Sequence, residues 1–119
     1  MDQDINFQTN GAFATSVKTT FFPVPYRCTV RDITAIVQAD PGDDQTITIT
    51  AGETAGTATT AIGVYTFGTD IAAGATGEWT PDATDGDTVI EKGSVLKLVT
   101  SAGSPANFNL NIELDPYAR

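Results

Sequence analysis

The chain has 119 residues, 40% of them hydrophobic, and carries 15 acidic against 6 basic side chains, no histidine and one cysteine. This length suits one domain with a single two-layer core. A net charge of −9 disfavours nucleic acid and anionic membranes as partners, because both recruit Lys and Arg. The missing histidine excludes His-based triads and His-ligated zinc, and the single cysteine excludes an intrachain disulfide.

In chain order, residues 1–13, MDQDINFQTNGAF, are polar, with Ile5, Phe7 and Phe13 spaced among Asn, Gln and Asp. With neither a basic start nor an apolar run, they are not read as a secretory signal. They read as an N-terminal arm or a weak first strand, set beside a β-sandwich domain over 14–119. As an arm, they should be removable without loss of the fold. Residues 14–22, ATSVKTTFF, predict a short strand ending in two aromatics. Pro23-Val24-Pro25 then forces an extended, poorly hydrogen-bonded joint of the kind that crosses between sheets.

Residues 28–39 predict a strand with a fault in its alternation. Cys28 and Val30 keep one phase, Ile33, Ala35, Val37 and Ala39 the other, so a bulge is expected near Asp32. Cys28 itself reads as a buried, inert thiol. Residues 40–44, DPGDD, make a turn. In 45–51, Ile47 and Ile49 alternate with three threonines. Residues 59–67 predict a strand with Ile62 and Val64 opposed to Tyr65 and Phe67. Residues 68–77 are too small and glycine-rich for a core strand and read as a long loop or weak edge.

Glu78-Trp79-Thr80 predicts a short strand, and 81–87 an acidic turn-rich loop. Residues 88–100 read as a hairpin about Lys92-Gly93, with Leu96 and Leu98 pointing inward. The clearest element is 107–115, NFNLNIELD. There Phe108, Leu110, Ile112 and Leu114 alternate without fault with polar residues, giving a strand with one dry and one wet face. The fold class is therefore all-β: a single-domain antiparallel sandwich of about eight strands.

Between Arg31 and Lys92 lie eleven carboxylates and no basic residue. Asp82, Asp85 and Asp87 match no calcium-loop spacing and read as a capped surface turn, as do Asp40, Asp43 and Asp44. Glu78 beside Trp79 is the one acidic–aromatic pair suggestive of sugar chemistry, but no second carboxylate is placed with it. No catalytic residue, metal ligand or cofactor site is expected. The aromatic and apolar residues near chain ends and joints are the candidate interface anchors: Ile5, Phe7, Phe13, Phe21, Phe22, Tyr26, Trp79 and Tyr117.

Four segments carry a family resemblance: KTTFFPVPYRCTVRDITAIV at 18–37, QTITIT at 45–50, VIEKGSVLKLVT at 89–100 and NFNLNIELDP at 107–116. In this order they resemble the jelly-roll decoration (cement) proteins on the heads of tailed bacteriophages. The resemblance implies a jelly-roll sandwich that acts as a small structural virion protein. Made in the host cytoplasm, it would assemble as a homotrimer on the outer capsid surface and clamp neighbouring major capsid proteins. It implies no cofactor. The rival reading is a carbohydrate- or receptor-binding β-sandwich module of a phage fibre, with Trp79 and a tyrosine as the sugar platform.

Overall fold

The computed structural model describes residues 5–24, 26–42, 45–54, 58, 60–68, 72–81 and 89–116, with the backbone alone for 5–7, 9 and 116. Eight strands occupy these residues: β1 (Ile5–Phe13), β2 (Lys18–Pro23), β3 (Cys28–Val37), β4 (Thr46–Gly52), β5 (Thr60–Thr66), β6 (Glu78–Pro81), β7 (Val95–Thr100) and β8 (Ala106–Pro116). They form two antiparallel sheets, of order β1-β8-β3 and β2-β7-β4-β5-β6. The last two strands are inserted among the first four: β8 lies between β1 and β3, and β7 between β2 and β4. A ribbon of β1–β2 running beside β7–β8 is thus folded over so that half of it lies in each sheet of the sandwich.

Strand β8 is the centre of the smaller sheet. Its Phe108, Leu110, Ile112 and Leu114 are all buried, and Asn107 and Asn109, in the alternate phase, are exposed. Strands β4 and β7 do the same for the larger sheet, burying Ile47, Ile49, Leu96 and Leu98. Each such side chain withdrawn from water contributes about 1.5–3 kcal/mol. Aromatic rings join the two layers: Phe13 meets Phe67 edge-on at 5.7 Å and lies 5.3 Å from Phe108, and Tyr65 meets Phe67 at 5.2 Å. The Tyr65 hydroxyl donates to the Ala35 carbonyl across the sandwich (3.1 Å) and accepts from the Gly77 N–H (2.8 Å).

The expected bulge in β3 is present between Val30 and Asp32, with Arg31 as the extra residue. The chain after β2 does cross from the larger sheet to the smaller one. Residues 72–77, in the segment read as a loop or weak edge, form a turn with Gly74 at φ +88° and one isolated bridge, Ile36 to Thr76.

Three expectations need correction. Of the two readings of the N-terminus, residues 5–13 bear out the first strand and not the arm: β1 pairs with β8 over its whole length, from Ile5 opposite Leu114 to Phe13 opposite Ala106. Removing them would strip one edge of β8, so deletion without loss of fold is not expected. In β5, Ile62 is buried with Tyr65 and Phe67, while Val64 faces outward opposite Thr48. A second bulge causes this: Ile49 pairs with Gly63 and Thr50 with Ala61, so the unpaired Ile62 turns inward. Finally, 88–100 is no hairpin. The turn at Lys92-Gly93 exists, with Gly93 at φ +85°. Its arms separate, however: Ile90 exchanges both backbone hydrogen bonds with Cys28 of β3, and β7 pairs with β2 and β4.

Candidate functional site

Strand alternation gives the molecule two outer faces. On the smaller sheet, register rows place Asn10, Asn109 and Ile36 side by side, then Gln8, Asn111 and Thr34. These residues line a neutral, amide-rich depression. The Asn111 Oδ1 atom there is shielded from solvent and has no hydrogen-bond partner among the described residues. Toward Cys28 the same face turns acidic, with Asp32 opposite Glu113 and Asp115 opposite Thr29. Arg31 pairs with Glu113 at 3.5 Å.

The outer face of the larger sheet is different. Its rows run Thr19–Val99–Thr48–Val64–Thr80, then Phe21–Lys97–Thr50–Ala61, with Pro23–Val95–Gly52 and Thr46–Thr66–Glu78 outside them. Among the described residues of these rows, only Lys97 and Glu78 are charged. Val17 and Phe21, 57% and 45% exposed, are two of the three exposed large hydrophobics among the described residues; Ile36 is the third. Phe21 lies on β2, at the edge of its sheet, and Val17 immediately precedes that strand. Lys18 turns its N–H and C=O toward β7, where both meet the Thr100 hydroxyl. Alternation therefore directs the backbone groups of Thr19 and Phe21 to the free edge.

The candidate anchors do not form one patch. Phe21 is exposed on the larger sheet, whereas Phe13 is only 1% exposed and is a core residue, removed from any docking surface by its contacts with Phe67 and Phe108. Phe22, Tyr26 and Trp79 are half-buried and pack against the core. Ile5 and Phe7 lie in register with Leu114 and Ile112 of β8. Tyr117 lies outside the described residues. Sequence reasoning missed Val17 and Ile36. For Val17 the signal was parity: Val17, Thr19 and Phe21 share a phase, and adjacent Phe21 and Phe22 must face opposite ways.

Other candidates resolve locally. Glu78 faces outward opposite Thr66, and Trp79 faces inward opposite Tyr65, with one side of its indole covering Gly63. Neighbouring strand residues diverge, so this pair does not converge on a substrate. The Asp40 carboxylate accepts the Gly42 N–H at 2.9 Å, capping its turn; Asp43, Asp44, Asp82, Asp85 and Asp87 lie outside the described residues. No group of three His, Cys, Asp or Glu residues is arranged for a metal among the described residues. A hollow lined by Phe22, Val24, Leu96, Ile112 and Leu114 is apolar and holds no group able to carry a proton. Cys28 is fully buried, and that burial pushes its thiol up to about 11.

No protein-family model and no curated protein matches this chain.

Proposed function

We propose that this chain is a structural, non-enzymatic protein that binds the outside of a phage head as a homotrimer and braces contacts between major capsid proteins. The observation that carries the reading is the outer face of the larger sheet. In a chain of net charge −9, a broad face of Thr, Val and Phe holds two charges among its described residues. Removing such a face from water costs little, because few ionic groups lose their hydration. Depletion of charge is also what marks the centre of protein–protein interfaces. The sandwich strand order and the resemblance to decoration proteins support the same reading. Neither nucleic acid nor membrane is a partner in it, and no cofactor takes part.

The test is co-sedimentation of the purified protein with heads of the phage that encodes it, read alongside the temperature at which those heads release DNA. Saturable attachment and a higher release temperature are expected. Absence of attachment at micromolar concentration would sink the proposal. Trp79, on which the fibre-module alternative leaned, packs against Gly63 and Tyr65, so the sugar platform has no comparable support.

A further inference from the structure

A homotrimer needs a surface that joins its copies, and the two sides of this sandwich differ in charge. One side carries the edges of β1 and β2, which lie close together; the other carries β3 beside β5 and β6. On the first side, Val17 and Phe21 expose apolar surface. Lys97 is the cross-strand neighbour of Phe21, and Lys18, paired with the buried Thr100, points to the other face of the β2 edge. Neither β2 nor β7 contains a carboxylate, and neither lysine has an ion-pair partner among the described residues. On the second side, Asp32 is exposed at the β3 bulge, with Glu113 beside it and Asp115 two residues further along β8. Arg31 is engaged with Glu113.

From this we infer that the β2 side of one copy docks on the acidic β3–β8 strip of the next, head to tail; the inference rests on the homotrimer reading above. The signs of the charges select this arrangement. Pairing β2 with β2 about a two-fold axis would set lysine against lysine, and like charges facing each other are destabilising. A head-to-tail contact astride the β2 edge sets Lys97 on one face of that edge and Lys18 on the other against Asp32 and Asp115, and seats Phe21 and Val17 beside Lys97. The two surfaces lie on opposite sides of one molecule, so each copy offers one to each neighbour; a rotation of about 120° between copies closes such contacts into the ring that a homotrimer requires. The contact also covers the free backbone groups of Thr19 and Phe21, an edge that would otherwise invite unspecific pairing.

The test is self-association by sedimentation equilibrium, with circular dichroism melting as the folding control. The native chain is expected to be trimeric. Lys18→Glu with Lys97→Glu should weaken association at least about tenfold, and Asp32→Lys with Asp115→Lys should do likewise. Joining all four substitutions should bring association back to within about threefold of native. Should a variant fail to fold, the native chain itself serves: raising the salt from about 0.05 M to about 1 M should weaken its association. A native trimer indifferent to both charge reversal and salt overturns the β2–β3 contact and leaves the homotrimer standing. A four-substitution variant that folds without regaining association also overturns it. A native chain that stays monomeric at high concentration removes the homotrimer reading itself.

Discussion

The outer faces of the two sheets come from the same alternation but differ in chemistry. Beneath the smaller sheet's amides lie Phe108, Leu110 and Ile112; beneath the larger sheet's threonines and valines lie Ile47, Ile49, Leu96 and Leu98. The inner faces are interchangeable in kind, since both need only apolar side chains of suitable size. The outer faces are not constrained by that core. One is amide-rich and turns acidic toward its end, as a wet surface can be; the other holds Lys97 and Glu78 as its charges amid Thr, Val and Phe. Stability therefore resides in the residues the faces share, and the difference between the faces is available for recognition.

The largest expected effect tests that division. Leu110→Ala in the smaller sheet and Ile47→Ala in the larger should each cost about 2–5 kcal/mol in urea unfolding. Asn109→Ala, one residue away and facing outward, should change stability by less than about 0.5 kcal/mol. Similar losses for Leu110→Ala and Asn109→Ala would break the division.

Tyr65→Phe comes next. It removes the hydroxyl that bonds Ala35 and Gly77 and should cost about 1–3 kcal/mol; no loss would show that the tie between the sheets is dispensable.

Cys28 sharpens the account of the interior through pH. Its thiol is raised from 9.0 to about 11 in the folded chain, so above pH 9 the unfolded chain ionises first. The contribution is fully present below pH 9 and is lost as pH rises toward about 11, by up to about 2–3 kcal/mol. Because lysines and tyrosines titrate nearby, the quantity to measure is native stability minus that of Cys28→Ala across this window. A flat difference would contradict the burial mechanism.

The smallest stability effect carries the functional contrast. Thr48→Glu, beside Val99 and Val64 and away from Lys97, and Asn109→Glu place a charge on each outer face, and both should stay within about 0.5 kcal/mol of native. Thr48→Glu is expected to reduce head attachment, and Asn109→Glu is not. Equal attachment of both variants in the co-sedimentation assay would remove the larger sheet from the interface.

Much of the architecture could be read along the chain. The unbroken alternation in 107–115 marks β8, and the phase change around Asp32 locates the β3 bulge, because a strand must keep a period of two unless a residue is inserted. Ile62 hid its bulge: in 62–65, Ile-Gly-Val-Tyr, no charged or strongly polar residue gives the contrast from which to detect a change of phase. The segment 88–100 looked like a hairpin because a turn between two apolar arms is a local signal. Where Ile90 and Val95–Thr100 found partners depended on β3, β2 and β4. Phe13 read as an interface anchor because it ends a mostly polar N-terminal segment; its neighbours in space are Phe67 and Phe108.

The amino-acid sequence on its own determined which residues extend and, in most strands, which of them turn to the dry side, since side-chain alternation follows from the covalent geometry of each residue. Tertiary structure alone decided which strands became neighbours, which edges stayed free, and that Lys18 and Lys97 lie across the sandwich from Asp32 and Asp115. Backbone hydrogen bonds are the same for every strand, so their pairing is selected only when all the apolar faces are buried together.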